Sequence, residues 1–309
     1  MRRRTIRVPA FARTTSGAVG LVLAVLILAV ALFGPLFAPH GIATPIGPPG
    51  QPPSGVAPLG TDFLGRDVLS RLLHGGSSVV WIGTVATTLA YLAGLAVGLV
   101  AGYSRSLIDP ILMRGVDVLL AFPALLVLLL LVSGLGPHIA VLILGVVLVQ
   151  LPGIARLMRT ATLEASTRGY VEAAVARGER MASVLARDIV PNIGPVMLAD
   201  FGIRFGYSII LVASMNYLGL GLAPPAADWG LMISENRAFI GLDIWGVLAP
   251  AIMLALLTIS VNLIADAYVR TSGHSSVPRG RGRRRALRRI DAAAVTEIAA
   301  LLGPEHAAS

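Results

Sequence analysis

The sequence predicts an all-α polytopic membrane protein with six transmembrane helices. Three observations carry that reading. The chain has 309 residues, of which 55% are hydrophobic and 13% charged, and its mean hydropathy is +0.80; a soluble domain carries about a quarter charged residues. Apolar runs of about 20 residues, the length that crosses a hydrocarbon layer of about 30 Å, recur along it. Arginine clusters in alternate connections, as the positive-inside rule requires of a multi-pass chain. Lipid offers no partner to backbone polar groups, so the spans are helices.

Residues 1–16, with Arg2, Arg3, Arg4, Arg7 and Arg13, read as a basic cytoplasmic arm. The run 17–37 is too long for the apolar core of a signal peptide and lacks a small-x-small cleavage site, so it reads as an uncleaved first span. Residues 38–74 are rich in Pro and Gly and form an external segment, with a short interfacial helix over Asp67–Leu73. Residues 75–270 hold five further spans. The second lies within Gly75–Ser104, which has no charged side chain. Leu119–Ala155 is too long for one span, and SGLGPH at 133–138 divides it, giving helices over about 110–133 and 138–156. The fifth runs over about 193–217 and the sixth over about 244–268. Between them, 218–243 is dense in Gly and Pro and reads as irregular or re-entrant.

Arginine placement tests the count. Six spans put the N-terminal arm, Arg105, Arg114, the six arginines between Arg156 and Arg187, and the eight from Arg270 to Arg289 on one side. Only Arg66, Arg71 and Arg237 fall on the other. Both termini are therefore expected in the cytoplasm. Residues 271–309 form a basic tail in which Leu287, Ile290, Ala294, Ile298, Leu301 and Leu302 fit one face of an amphipathic helix, suited to anionic lipid or to a partner, or else a disordered tail.

The charge of +9 sits beside apolar spans, so topology accounts for it and nucleic acid is not an expected partner. There is no cysteine, which excludes disulfides, thiolate metal sites and a cysteine nucleophile. All 25 basic residues are Arg; with no Lys and no GxxxxGK[ST], a P-loop is excluded. No His pairs with another at metal-ligand spacing, so no metal site is expected.

One loop stands out. YVEAAVARGERMASVLARDIVPN, residues 170–192, interrupts the apolar pattern with an Ala-rich charged stretch. Tyr170–Arg177 are helix formers, Gly178 stops them, Met181–Arg187 form a second short helix, and Pro191 disfavours helix in the residue before it. Small Ala173 and Ala174 permit close approach of another surface, with Glu172 and Arg177 as charged contacts. The pattern alone fits equally a docking knob or a solvated loop.

Glu172-Ala173-Ala174, Gly178 four residues on, and Ile189-Val190-Pro191-Asn192 resemble the EAA loop of ABC importer permeases. PLGTDFLGRDVLSRLL at 58–73, AGYSRSLIDPILMRGVDVLLAFPALL at 101–126, RGYVEAA at 168–174 and YLGLGLAPPAADWG at 217–230 are similar to the dipeptide/oligopeptide/nickel group, C-type subunit. The resemblance covers about residues 55–270. Asp188 and Val190 depart from the residues usual in the loop, and neither removes its helix-turn-helix pattern.

The resemblance implies the type I importer permease fold with a cytoplasmic coupling helix in the loop about 157–192. It implies a non-catalytic chain that binds no cofactor, with ATP and Mg used by a partner ATPase. A second homologous permease and an external solute-binding protein complete the implied system, in the bacterial inner membrane. Tyr170, Glu172, Ala173, Ala174, Arg177, Gly178 and Pro191 then become ATPase-coupling residues. Asp62, Arg66, Asp67, Asp228 and Trp229 become candidates for docking the binding protein.

Asp200 and Arg204 lie one turn apart in the fifth span. Charges inside a membrane are costly and face a bundle interior or a wet cavity, so the pair either lines a pathway or is a structural ion pair. Met215 and Asn216, near the outer end, are further pathway candidates. Two other classes are weighed: a self-contained secondary transporter or channel, for which no repeat relates residues 1–156 to 157–309, and a membrane enzyme, for which no catalytic cluster at one depth is visible.

Overall fold

The computed structural model describes residues 10–104 and 106–272. The chain divides into two units, 1–269 and 270–309; Arg105 and the predicted amphipathic tail helix lie outside the described residues. Described secondary structure is helical, with only isolated bridges. Among the described residues, five helices are long and apolar enough to cross a membrane, and a bent pair is a sixth candidate.

Helix α1 spans Thr15–Phe33, started by the Thr14 hydroxyl accepting the Gly17 N–H; a 3₁₀ turn, Gly34–Phe37, prolongs it. Helix α2 is Val68–Tyr103, 36 residues without a break. This corrects the predicted boundary at residue 74: Asp67–Leu73 is not a separate interfacial helix but the cap and first turns of α2. Gly75 and Gly76 stay helical because their bare backbone is the contact surface. A Cβ at Gly76 would lie 2.6 Å from Trp229 Cζ2 and 2.7 Å from Ala31 Cβ.

The third predicted span is two helices, α3 (Ile108–Leu120) and α4 (Ala124–Leu135), meeting at 84°. The single helix over about 110–133 is thus corrected. Pro123 is the reason: it has no N–H to donate and pushes Phe122 out of helical conformation. Helix α5, Ile139–Ser166, outruns the expected end near 156 by ten residues. The second half of α5, including the added turns, packs on α2 through a row of glycines. A Cβ at Gly94, Gly98 or Gly102 would lie 2.7, 2.6 and 2.6 Å from Ile154, Met158 and the Arg159 carbonyl, respectively. Arg159 also holds Asp109 of α3 with two bonds of 2.6 Å.

Helix α6 is Gly169–Ala176 and α7 is Met181–Val184. A π turn, Leu185–Ile189, joins α7 to α8, Val190–Tyr217. Helix therefore continues through Pro191, against expectation. The wider turn lets the Val190 N–H reach the Leu185 carbonyl, so the ring sits in the first turn of α8, where a missing N–H costs little. The segment expected to be irregular contains α9, Trp229–Asn236. Helix α10 is Trp245–Ser272.

Three apolar clusters stack along the bundle. One, at the end carrying α9, centres on Trp229 with Ile27, Ala31, Val79 and Leu257. The middle one joins α2, α4, α5 and α8 through Ile82, Leu128, Leu142, Val146 and Val212. The third, at the end carrying α6, holds Ala90, Ile154, Met158, Val171, Ala174, Val184 and Ile189.

The glycine contacts predict an asymmetry. Gly76→Ala overpacks α2 against Trp229 and Ala31 and lowers stability by about 1–3 kcal/mol. Gly134→Ala, where an added Cβ meets nothing within 4 Å, leaves stability unchanged or raises it by a few tenths. Thermal unfolding of the two purified variants in one detergent checks this.

Candidate functional site

Helix α6 is seated rather than suspended. Val171 and Ala174 are buried against Ala165, Met158 and Ile189. Tyr170, Glu172, Ala173, Val175, Ala176 and Arg177 are exposed. Ala173 and Ala174 therefore part company: Ala173 faces outward, and Ala174 packs on the chain itself. Close approach by another surface is open at Ala173 only.

The helix ends in a Schellman turn. Gly178 has φ +77°, its N–H reaches the Val175 carbonyl at 2.9 Å, and the Glu179 N–H reaches that of Ala174 at 3.2 Å. A Cβ on Gly178 would meet nothing within 4 Å, so the glycine serves backbone conformation and not space. Arg177 Nη2 donates to Glu179 Oε1 at 2.6 Å and holds that carboxyl below the usual glutamate range. Pro191 is exposed at the start of α8, beyond the turn.

At the opposite end, the five residues expected to dock a partner are buried and make internal contacts. Arg66 Nε donates to Asp62 Oδ2 at 2.6 Å, and its Nη2 to Glu235 Oε2 at 3.3 Å. Arg71 Nη2 reaches Glu235 Oε2 at 2.7 Å and the Ala226 carbonyl at 3.2 Å. Asp67 caps α2 by accepting the Leu69 and Ser70 N–H groups. Asp228 caps α9, accepting from Gly230 and Leu231, and receives the Ser78 hydroxyl at 2.8 Å. Burial pushes the Asp228 carboxyl up from the ordinary aspartate range. Trp229 donates from Nε1 to the Leu72 carbonyl at 2.9 Å.

The two loop segments, 38–74 and 218–243, are thus locked into one layer. Asp62, Arg66, Asp67, Asp228 and Trp229 shape its surface instead of forming it. Arg71 and Glu235, which complete the charge quartet, were not anticipated. Their signal was available: Arg66 and Arg71 stand on a side otherwise almost free of arginine, beside Asp62.

Within the bundle, Arg204 Nε donates to Asp200 Oδ2 at 3.4 Å, and the Tyr91 hydroxyl donates to the same oxygen at 3.1 Å. The pair borders a cleft of about 510 Å³ between the α3–α4 elbow, α5 and α8, lined by Phe122, Val127, Gly153, Asp200, Arg204 and Tyr207 among others. Met215 and Asn216 are fully buried. Asn216 Oδ1 accepts the Leu222 N–H at 2.9 Å and ties α8 to the loop beyond it. The structure brings Asp200 and Arg204 together and leaves Met215 and Asn216 away from that cleft. Asp117 of α3 pairs with Arg156 of α5.

Residues 94–272 match the family described as binding-protein-dependent transport system inner membrane component. The chain belongs to this family. Among relatives of this inner-membrane component, the di/tripeptide transport system permease protein DppC of Pseudomonas aeruginosa is 33% identical over 83% of this chain and 87% of its own. The dipeptide transport system permease protein DppC of Alkalihalophilus pseudofirmus is 32% identical over 80% and 82%. The glutathione transport system permease protein GsiD of Pectobacterium atrosepticum is 35% identical over 69% and 71%. A solved structure of the MetNI methionine ABC transporter, in inward-facing conformations, superposes with a TM-score of 0.55 at 18% identity, covering 65% of this chain and 95% of that one. The fold is therefore that of a type I ABC importer permease, and the protein is a multi-pass inner-membrane component.

The charge quartet predicts strong non-additivity. Glu235→Ala leaves Arg66 and Arg71 facing one carboxylate and costs about 3 kcal/mol. Arg71→Met combined with Glu235→Met removes a complementary pair and recovers most of that loss. Unfolding midpoints of the single and double variants measure it.

Proposed function

We propose that this chain is one of two permease subunits of an ATP-driven importer of short peptides, and that α6 is the element through which ATP hydrolysis on partner subunits moves the membrane helices. The observation that carries the reading is the seating of α6. A rigid helix is fixed to the α2–α5–α8 bundle by Val171 and Ala174, and offers Tyr170, Glu172, Ala173, Val175 and Arg177 outward. A push on that face passes into α5 and α8 through packed side chains. Relatives that transport dipeptides, tripeptides and glutathione support a peptide substrate.

In this reading both termini and α6 face the cytoplasm, as the arginine distribution requires. The ATPase subunits bind ATP and Mg, and this chain binds neither. A solute-binding protein docks on the layer shaped by Asp62, Arg66, Asp67, Asp228 and Trp229, meeting the residues they hold in place. Pathway lining by Asp200 and Arg204 belongs to the cleft, where two membrane elements that differ in direction, α3 and α4, leave room. Alternation between outward- and inward-open states is a rigid-body transition driven by differential contacts in two states.

Purification from the native membrane through a tag on this chain tests the proposal. The wild type is expected to bring down an ATPase and a second permease. Glu172→Arg and Gly178→Pro are expected to insert normally and lose the ATPase. A wild-type chain that purifies alone and moves peptide without ATP would establish a self-contained transporter and overturn the reading.

A further inference from the structure

The membrane cleft holds a charged pair that is not built as a lock. Two other pairs of this chain close tightly: Arg159 meets Asp109 with two bonds of 2.6 Å, and Arg66 meets Asp62 at 2.6 Å. Asp200 and Arg204 share one contact of 3.4 Å, through Nε. Neither Nη nitrogen of Arg204, nor Oδ1 of Asp200, has a hydrogen-bond partner among the described residues. Both side chains are part-buried, at 24% and 13% exposure, and both line the cleft.

The guanidinium also has a prepared seat. A Cβ at Gly153 of α5 would lie 2.6 Å from both Nη atoms, so a larger residue there would push the group from its present place against that helix. The Tyr91 hydroxyl donates to Asp200 Oδ2, and also lies 2.9 Å from the Met197 carbonyl, which fixes the carboxylate from the other side. One turn further along α8, Ser208 meets Thr87 of α2 and Gln150 of α5 in a buried cluster that holds the three helices in register. Two opposite charges are thus held in place, with their unbonded atoms at a cleft of about 510 Å³, within the range of about 300–1,000 Å³ usual for small-molecule sites.

We propose that this cleft binds the two charged ends of a zwitterionic peptide in transit, the carboxylate on the Nη edge of Arg204 and the ammonium on Asp200. A planar guanidinium presents paired donors that match a carboxylate. An isolated anion here would leave the site with net negative charge inside the membrane, which is costly. A zwitterion keeps it neutral, which is why both ends are assigned. The proposal rests on the peptide-importer reading and adds to it a selectivity that belongs to the permease.

The test uses the complete importer reconstituted in proteoliposomes, with binding protein saturated by each peptide, and measures ATP-driven uptake of dialanine, its C-terminal amide and its N-acetyl form. In the wild type, free dialanine is expected to be favoured over both blocked forms. Arg204→Gln is expected to lower the free-to-amide ratio about tenfold, and Asp200→Asn to lower the free-to-acetyl ratio similarly. Gly153→Ala, which unseats the guanidinium without removing charge, is expected to lower the first ratio severalfold. If Arg204→Gln does not assemble, Arg204→Lys, which keeps the charge and loses the fork, is read in its place and is expected to lower the free-to-amide ratio severalfold.

Unchanged ratios with equal loss for all three peptides would make the pair structural and overturn the proposal. A wild-type importer that takes up none of the three overturns the peptide reading itself.

Discussion

The close approach of α2 and α5 is the constraint on which the other features depend. Hydrophobic burial gives little preference for one helix over lipid inside a membrane, so association rests on packing at short range. Gly94, Gly98 and Gly102 supply it, each placing bare backbone against Ile154, Met158 or Arg159. The seam fixes the last turns of α5, and those turns carry Ala165 against Val171 of α6. The seating of α6, the position of Gly153 beneath Arg204 and the register of the Thr87–Ser208–Gln150 cluster all follow from it. The same device recurs at the far end of α2, where Gly75 and Gly76 accept the Trp229 ring.

Charge is handled differently at the two ends. At the α6 end, arginines are numerous, and several form exposed pairs, such as Arg168–Glu164 and Arg156–Asp117. Pairs of this kind contribute little to stability, and their value lies in orienting the chain. At the α9 end, Arg66 and Arg71 are withdrawn from solvent and neutralised by Asp62 and Glu235. Two cations on that side therefore present no free charge to oppose the topology, and they rivet loops that would otherwise be separate. The layer formed by the two segments is tied together for that reason.

Much of this was legible in the sequence. The number of candidate spans, the arginine asymmetry, and the short helices on either side of the Gly178 turn are readable, because each depends on local residue type or on length. The breaks were read less well. Pro123 lies within an apolar run that reads as continuous, yet it bends the third span by 84°. Pro191 disfavours helix at Val190 by its residue type, yet a π turn carries the helix through. Gly75 and Gly76, at the expected start of the second span, lie inside α2 and are a packing surface.

The site residues divide along the same line. Tyr170, Glu172, Ala173 and Arg177 stand outward as their helical positions suggest, whereas Ala174 faces in, a distinction that depends on which side of α6 meets α5. Asp62, Arg66 and Asp67 lie in a conspicuous motif, but burial is a tertiary fact, and motif alone does not separate a surface from what supports it. The four-residue spacing of Gly94, Gly98 and Gly102 was visible and is the signal that would have found the α2–α5 seam.

In the proposed importer, the outward face of α6 meets an ATPase while Val171 and Ala174 on its inward face pack on this chain. The sequence contains no cysteine, so single-cysteine variants report one position each. Ala173→Cys and Ala174→Cys, adjacent in sequence and opposite in orientation, are to be cross-linked in native membranes with and without ATP. The account predicts an ATPase adduct from position 173, changing in yield with ATP, and none from position 174. Equal adducts from both positions, or adducts from neither with the importer assembled, would contradict it.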